Sequence, residues 1–415
     1  MNDLANHTVI LGGGFAGLFT ALHLSKQGYS QSVTLIDQNE RFVFKPLLYE
    51  FLSREMDERQ VCPRYQKLLD GSGVQFLQDT VQEIDLHDRV VKLAKNGCCS
   101  YKHLVLALGS PTGYFGIKGA KENTLPFRTR QDAIALSQHL RECLKQARQT
   151  TNSEQRRTLL TVAIVGAGPT GIELAATLAD LLPHWYSELG GAFLEIRLVL
   201  LNRGSEILKG DINNHLRKAA QKALIEGTVP VKFLPNASVS AVYPDRVEFK
   251  RKDKLNAIKA ATIVWTTGTT THPLIKALPI PDSHRDQKGR LLVTPTLQLP
   301  DFPDVFAAGD CAANLENPLP PTAQVAYQQG KALAQNLKAL SEDRHLIPAQ
   351  VNLRGSLLKL GLDESAANLF EHFVITGKLA HLIRQGTYLT LLPTPVHNFQ
   401  ATTEWLSDEV FQRYL

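Results

Sequence analysis

The 415-residue sequence is poor in cysteine, and its cysteines are not paired by spacing. No C-x-x-C element and no metal-ligand spacing occurs among Cys62, Cys98, Cys99, Cys143 and Cys311. A disulfide framework or a zinc site needs such pairs, so this pattern excludes both. We therefore expect a protein of a reduced, intracellular setting, with five chemically inert cysteines and no metal site.

A long apolar run and a block of like charge are also missing. No stretch of about 18 uncharged apolar residues occurs, which leaves peripheral contact as the only expected mode of membrane association. The first apolar run, TVIL at 8–11, predicts a strand that begins too early for a signal or transit peptide. The formal net charge of +5 suits nucleotide phosphates or an anionic membrane surface, and we expect no nucleic-acid partner.

One pattern occurs twice in a chain whose length predicts two or three domains. The first copy is HTVILGGGFAGLFTALHLSKQG followed by VTLIDQNE, and the second is TVAIVGAGPTGIELAATLADLL followed by IRLVLLNRG. Each copy reads as an apolar strand, a Gly-x-Gly-x-x-Gly turn, a helix rich in Ala and Leu, and a second strand. The sequence therefore predicts two βαβ units of the dinucleotide-binding kind.

The glycines of each turn have separate predicted roles. The first makes the tight turn, the second lets the backbone approach a pyrophosphate, and the third lets the helix pack closely on the strand. These residues are Gly12, Gly14 and Gly17 in the first copy and Gly166, Gly168 and Gly171 in the second. The phosphates are expected at the N-terminus of each helix.

The residue that ends the second strand differs between the copies. Asp37 lies twenty residues after Gly17, where a carboxylate binds a ribose 2′-hydroxyl, although it is also a residue that caps turns. The second copy has Asn202 and Arg203 at this place. An amide tolerates a 2′-phosphate and a guanidinium binds one, so we expect FAD on the first unit and NADPH on the second. NADH is the alternative if Arg203 only faces solvent.

Three later segments complete a resemblance to a known group of enzymes. LVLALGS at 104–110 and IVWTTG at 263–268 predict strands that end at Gly109 and Gly268, and VFAAGD at 305–310 ends on Gly309 and Asp310. With the two turns, these segments resemble the flavoprotein reductases with two dinucleotide-binding domains, over residues 7 to 340. The resemblance implies an α/β fold with two Rossmann-like domains, and it implies that Asp310 holds the ribityl chain of the flavin.

The first domain lacks the redox cysteine pair of the disulfide reductases in this group, because the segment 41–56 has no cysteine. The five cysteines are also poorly placed for a sulfide:quinone oxidoreductase. FKPLLYE at 44–50 and PPTAQVAYQQG at 320–330 instead resemble the type II NAD(P)H:quinone oxidoreductases. That resemblance implies that Ala323, Gln324 and Gln328 lie at the flavin ring and form the quinone site.

The glutamines and one glutamate carry the predicted catalytic roles. Gln324 and Gln328 are four residues apart and share a helix face, where an uncharged amide can donate to a quinone oxygen. Ordinary helix-surface glutamines are the alternative. The resemblance places Glu173 near the nicotinamide and the flavin, where it orders the hydride donor or moves protons. Stabilisation of the helix dipole is the alternative for Glu173.

From residue 340 the character of the sequence changes. Apolar residues recur near helical spacing (Phe373, Leu379, Leu382 and Ile383), and between 372 and 400 only Lys378 and Arg384 carry a formal charge. This pattern predicts an interfacial helix flanked by basic residues, which would give access to a lipid-dissolved quinone. Homodimer contact and plain domain packing are the alternatives.

The predicted domain boundaries follow from these segments. The FAD-binding domain comprises 1–120 and 276–340, the NAD(P)H-binding domain comprises 121–275, and a membrane-associating region follows at 341–415. We expect a peripheral protein on the cytoplasmic side of a thylakoid or plasma membrane.

Within the family, FKPLLYEFLS, CPRYQKLL, GVQFL and PPTAQVAYQ resemble the plant and cyanobacterial branch that acts as demethylphylloquinone reductase in vitamin K1 synthesis. The resemblance implies hydride transfer from NADPH to FAD and then reduction of a demethylnaphthoquinone, whose quinol is the substrate of a methyltransferase. The alternatives are a respiratory NADH dehydrogenase for plastoquinone or menaquinone and a flavin-based redox sensor.

Overall fold

The computed structural model describes residues 7–210, 213–314, 316, 318–353, 355–369, 373–394, 397–399 and 401–403. Its α-helices, in chain order, are α1 (Phe15–Lys26), α2 (Leu48–Ser53), α3 (Glu58–Val61), α4 (Tyr65–Leu68), α5 (Arg130–Gln149), α6 (Ser153–Leu159), α7 (Pro169–Glu188), α8 (Asn214–Glu226), α9 (Pro273–Ala277), α10 (Ala323–Ser341) and α11 (Lys378–Thr390).

The strands of the described residues are also numbered in chain order. They are β1 (His7–Leu11), β2 (Ser32–Asp37), β3 (Gln75–Gln78), β4 (Val81–Asp85), β5 (Val90–Leu93), β6 (Cys98–Ser100), β7 (His103–Leu106), β8 (Leu125–Pro126), β9 (Thr161–Val165), β10 (Arg197–Leu201), β11 (Val231–Leu234), β12 (Ser238–Tyr243), β13 (Arg246–Arg251), β14 (Lys254–Lys259), β15 (Thr262–Trp265), β16 (Leu291–Leu292), β17 (Gln298–Leu299), β18 (Phe302–Ala307), β19 (Ala312–Ala313), β20 (Ser356–Lys359), β21 (Ser365–Leu369) and β22 (Phe373–Gly377).

A six-stranded sheet carries the first glycine turn. Its order is β17-β18-β7-β1-β2-β3, and all its pairs are parallel except β17 with β18. Helices α1 and α10 pack against each other so closely that a Cβ added to Gly330 would lie 2.5 Å from Ala16 O. The central strand β1 is therefore covered by helix as well as flanked by strands, which explains its continuous apolar run.

A five-stranded parallel sheet carries the second turn, in the order β11-β10-β9-β15-β8. Strand β9 occupies the same central position as β1 in the first sheet, between β10 and β15. The carboxyl ends of adjacent parallel strands meet at one edge of a sheet, which is where ligands bind in folds of this type. The two repeated units therefore place their glycine turns at equivalent sheet edges.

The C-terminal part forms a three-stranded antiparallel sheet, β20-β21-β22, with α11 packed on it. The prediction of a helix from Phe373 is wrong at its start, because residues 373–377 form β22 and the helix begins at Lys378. None of the described helices combines the length and apolar character needed to cross a bilayer.

Candidate active site

The first glycine turn has the geometry that the spacing predicts. Gly12 has a φ of +97°, and a Cβ added there would lie 2.4 Å from Ala107 O, so neither the backbone angle nor the space suits another residue. An added Cβ on Gly17 would lie 1.9 Å from Gly12 O, which is why helix and turn pack so closely. Around Gly14 the space is open within 4 Å, as a pyrophosphate needs.

Asp37 ties the end of β2 to this turn. Its Oδ2 accepts a 2.7 Å hydrogen bond from Gly13 N, and its Oδ1 accepts bonds from Asn39 N at 2.8 Å and Asn39 Nδ2 at 3.0 Å. The turn-capping role considered for Asp37 is therefore present in the structure. Because an ionised carboxylate has about four lone-pair sites, contact with a ribose hydroxyl is compatible with these bonds and stays a prediction.

The second turn repeats the first. Gly166 has a φ of +112°, and an added Cβ on Gly171 would lie 1.8 Å from Gly166 O. The space around Gly168 is open within 4 Å, and Pro169 starts α7. Helix α7, like α1, has no acidic residue in its first turn and no side-chain cap on its first amides. Both helix N-termini therefore offer free amide groups to phosphates.

Asn202 occupies the position in the second unit that Asp37 occupies in the first, and its amide donates hydrogen bonds as well as accepting one. Its Oδ1 accepts from Ala167 N at 3.4 Å, while its Nδ2 donates to Gly204 O at 3.2 Å and Glu206 O at 2.9 Å. A carboxylate could not donate the last two bonds. The amide thus orders the loop after β10 and carries no charge, and the adjacent Arg203 side chain is exposed at this edge.

The expected flavin residues converge at the carboxyl ends of β7 and β18. Ser110 Oγ donates a 3.0 Å bond to Asp310 Oδ2, and Arg128 Nη2 lies 3.9 Å from the same oxygen. Gly309 N donates to Gln329 Oε1 at 2.8 Å. Sequence reasoning missed Ser110, Arg128 and Gln329, because each is defined by a partner distant in sequence.

Gly109 and Gly268 lie beyond β7 and β15, at the two sheet edges that carry the glycine turns. Gly268 O accepts a 3.2 Å bond from Gly113 N, so the two edges are joined at this point. A Cβ added to Gly268 would lie 2.5 Å from the ring of Phe115 and 2.6 Å from Gly113 O. The backbone at Gly268 is therefore closely packed against Gly113 and Phe115.

The predicted quinone residues lie at the start of α10, which Thr322 caps and Ala323 begins. Gln328 exchanges two hydrogen bonds with the backbone of Asn352, donating to its O at 2.9 Å and accepting from its N at 2.9 Å. Gln324 Nε2 donates to the same Asn352 O at 3.5 Å. Both amides therefore anchor the segment after α10, a function that spacing alone does not predict.

Glu173 is buried on α7, where the C-terminal sheet covers it. Its Oε1 accepts a 2.9 Å bond from Lys359 N and lies 3.8 Å from Arg384 Nη2. Burial raises the pKa of the Glu173 carboxyl to about 7, against the opposing charge of Arg384 and hydrogen bonds from Lys359 N and Tyr49. The Glu173 carboxyl can therefore both hold and release a proton near neutral pH.

The position of Arg384 differs from the one expected for the C-terminal region. It was expected to flank an interfacial helix, but its side chain is fully buried, bonded through Nη1 to Glu50 Oε1 and through Nη2 to Pro46 O at 2.5 Å. Burial alone would raise the pKa of Glu50, but the charges of Arg384 and Lys359 outweigh it and hold that pKa at about 2. A lone cation within an apolar stretch was the sequence signal for such a buried pair.

The cysteine thiols form no disulfide, and Cys311, which directly follows Asp310, is one of those that are buried. All five are free, and Cys62, Cys143 and Cys311 are buried. Burial raises the pKa of the Cys311 thiol to about 11 and that of Cys62 to about 12, so neither is a thiolate at neutral pH.

FAD fits the first unit because the turn at Gly14 is open, the first amides of α1 are free and Asp37 supplies a carboxylate. The group formed by Asp310, Ser110 and Arg128, called the Asp310 cluster below, lies at the end of the same sheet. NAD(P)H fits the second unit on the open turn at Gly168 and the free amides of α7. The class that fold and site define is a flavoprotein reductase with two dinucleotide-binding domains.

Comparisons with known proteins agree with this class. The family model Pyridine nucleotide-disulphide oxidoreductase matches residues 6–330. The chain is 34% identical over 418 residues to demethylphylloquinone reductase NdbB of Synechocystis sp., covering 98% of this chain and 97% of that protein. It is 30% identical over 436 residues to alternative NAD(P)H-ubiquinone oxidoreductase C1 of Arabidopsis thaliana, covering 96% and 80%. The chain therefore belongs to the pyridine nucleotide-disulphide oxidoreductase family and, within it, to the type II NAD(P)H:quinone oxidoreductases.

Solved structures support the fold. NDH2 from Plasmodium falciparum in complex with NADH has a TM-score of 0.87 at 19% identity, covering 97% of this chain and 98% of that chain. The sulfide:quinone oxidoreductase of Aquifex aeolicus has a TM-score of 0.75 at 18% identity, covering 98% and 95%. The prediction of two Rossmann-like domains in an α/β fold is confirmed.

Proposed function

We propose that the chain is an FAD-dependent NADPH:quinone oxidoreductase that reduces a demethylnaphthoquinone of the demethylphylloquinone type. The observation that carries the NADPH assignment is the second unit, where the uncharged Asn202 and the exposed Arg203 stand in the place of an acid. The similarity to the Synechocystis demethylphylloquinone reductase supports the choice of quinone.

The role of the chain's residues follows from their positions. When bound, FAD supplies the hydride acceptor and returns two electrons to the quinone. The first turn and Asp37 hold its nucleotide half, and the Asp310 cluster holds its ribityl chain. The glycine turn before α7 and Arg203 orient NADPH, and Glu173, two residues after Gly171, holds a proton at its carboxyl.

The quinone is proposed to bind at the start of α10. Gln324 has only a long 3.5 Å bond to Asn352 O, so its amide is the better donor to a quinone oxygen. Gln328 fixes the Asn352 backbone, which forms the neighbouring wall. The two glutamines therefore have different proposed roles, quinone binding for Gln324 and backbone anchoring for Gln328, although they share one helix face.

Peripheral membrane contact is proposed for the exposed apolar side chains of the C-terminal part. Leu379 is 60% exposed, Leu382 39% and Phe399 72%, and the exposed Lys378 lies beside them. An apolar group with a basic neighbour suits an anionic lipid surface. A cytoplasmic-side thylakoid or plasma-membrane location, a downstream methyltransferase and a homodimer remain proposals that extend this one.

The test is steady-state turnover with NADPH and a panel of quinones. We expect naphthoquinones that lack the ring methyl group to be reduced with the highest kcat/KM. Faster turnover of plastoquinone with NADH would support the respiratory alternative, which the similarity to the type II NADH:quinone oxidoreductase of Mycobacterium tuberculosis favours, at 31% identity over 345 residues, 80% of this chain and 72% of that protein. Failure to turn over any quinone would support the redox sensor.

A further inference from the structure

Five ionisable side chains from distant parts of the chain form a cluster behind the second glycine turn, at the start of α7. Its members are Glu50 of α2, Glu55 after α2, Glu173 of α7, Lys359 of β20 and Arg384 of α11. The side chains of Glu50, Lys359 and Arg384 have no exposed surface. Three carboxyl groups thus share two cations in a space largely closed to water.

Lys359 contacts all three carboxyl groups. Its backbone N donates to Glu173 Oε1 at 2.9 Å, while its Nζ donates to Glu55 Oε1 at 2.9 Å and Oε2 at 2.7 Å. The same Nζ lies 3.4 Å from Glu50 Oε1. Protonation of any one carboxyl therefore changes the electrostatic potential at the other two, so the three groups titrate together.

The cluster contains three carboxyl groups but only two cations. If all three carboxyls were ionised, one buried negative charge would have no counter-charge, which is strongly unfavourable in a low-dielectric environment. Glu50 is in contact with both cations and stays ionised. The surplus charge is therefore removed by a proton on Glu55 or on Glu173, and burial raises the pKa of both of these groups.

The other titratable groups that face the cluster do not supply the missing charge. Burial raises the pKa of Tyr49 and of Tyr388, so both stay neutral and protonated. Burial, with the charge of Lys359, lowers the pKa of His381 to about 4, so this ring is neutral. The other charged groups nearby are exposed to solvent: Arg54, Asp57 and Arg59 at the cleft beside Glu55, and Asp363 near His381. The cluster itself therefore has two cations and three carboxyls.

The two ends of the cluster differ in surroundings. Glu173 lies on α7 behind its glycine turn, whereas the side chain of Glu55 is 23% exposed and lines a cleft of about 900 Å³ between α2 and α5. Two buried polar atoms of the cluster, Glu50 Oε2 and Arg384 Nε, have no hydrogen-bond partner among the described residues. Buried polar atoms of this kind are usually satisfied by internal water, which also conducts protons.

We propose that the cluster binds and releases one proton near neutral pH, that Glu173 and Glu55 share this proton, and that Glu55 takes up its replacement from water in the cleft. The inference rests on the proposed function, in which NADPH, one proton and a quinone give NADP⁺ and a quinol. NADPH supplies two electrons and one proton as hydride, so one further proton must come from solvent. Glu173 releases that proton toward the site, and Glu55 takes up its replacement.

The test is infrared titration of the FAD-loaded full-length protein, with no nucleotide and no quinone present. Wild type should show the carbonyl stretch of a protonated carboxyl at pH 7, lost as the pH rises. In Glu55→Gln the cluster has two cations and two carboxyls, so the titration should shift down by at least about one pH unit, and the protonated fraction at pH 7 should fall from about half to less than about a tenth. Glu173→Gln should remove the band.

The control is Glu188→Gln, an exposed glutamate at the end of α7, which should leave the titration unchanged. Flavin content and near-ultraviolet circular dichroism show whether each variant is folded. An unchanged titration in Glu55→Gln, or no protonated carboxyl in wild type at pH 7, would overturn the proposal. Because no quinone is needed, the outcome is separate from that of the quinone turnover assay.

Discussion

At the scale of the residue, the two nucleotide units differ most at the end of their second strands. Asp37 and Asn202 both accept a hydrogen bond from the amide in the middle of their glycine turn. Only Asn202 also donates, to Gly204 O and Glu206 O. The amide therefore keeps the structural role of the acid, orders the loop that presents Arg203, and removes the charge that would repel a 2′-phosphate.

The first prediction concerns Arg203. Arg203→Ser should raise KM for NADPH by about ten- to a hundredfold, the loss of one charge-assisted contact to phosphate, and should leave KM for NADH nearly unchanged. Arg197→Ser, at the exposed start of the same strand, is the matched control. Equal effects of Arg203→Ser on both nucleotides would contradict the assignment.

The second prediction concerns Gly17. Gly17→Ala places a Cβ 1.9 Å from Gly12 O and must displace the turn, so we expect loss of bound FAD and a cost of about 1–3 kcal/mol in the free energy of unfolding. Gly386→Ala in α11, where the added Cβ meets nothing within 4 Å, should instead stabilise the helix by about 0.5–1 kcal/mol. Thermal unfolding and flavin content measure both variants.

At the scale of the element, α11 is tied to the first domain by a buried ion pair rather than by apolar contact alone. Arg384→Ala removes the closer of the two cations that contact the buried Glu50 and leaves only the longer contact with Lys359, so we expect a cost of about 3–5 kcal/mol in the free energy of unfolding. The double variant Arg384→Met with Glu50→Gln removes both charges and should be much less destabilised. If Arg384→Ala unfolds at the same denaturant concentration as wild type, the pair is not buried in solution.

The elements also show what sequence can predict. The glycine turns and their strands were predictable, because strand, turn and helix are encoded within about 30 consecutive residues. The ion pair between Glu50 and Arg384 was not predictable, because these two residues lie 334 positions apart and meet only in the folded chain. The same holds for Gln328 and Asn352, whose mutual hydrogen bonds no helix periodicity indicates.

At the scale of the whole molecule, the raised pKa of Glu173 has a consequence for stability. Between pH 4.5 and about 7 the folded protein holds a proton that the unfolded chain has released. The free energy of unfolding should therefore fall as pH rises across this window, by at most about 3 kcal/mol from this group. Glu173→Gln should remove that decrease, and denaturant titrations at pH 5 and 8 check it. A slope shared by wild type and Glu173→Gln would show that Glu173 titrates normally.

Membrane association is also a property of the whole molecule. Leu379→Ser with Leu382→Ser should reduce flotation with anionic vesicles several-fold without changing NADPH oxidation by a water-soluble quinone. Leu255→Ser, at an equally exposed leucine on β14, is the control. If flotation is unchanged, Leu379 and Leu382 are not part of the membrane-binding surface.

The proposed function requires the first unit to bind FAD and the second to bind NADPH for quinone reduction. The most direct measurement is anaerobic bleaching of the bound flavin, with NADPH and NADH compared at equal concentration by stopped-flow absorbance. NADPH should reduce the flavin at least about ten times faster than NADH at low nucleotide concentration, as one phosphate contact implies. Faster reduction by NADH would contradict the NADPH assignment and give the respiratory function priority.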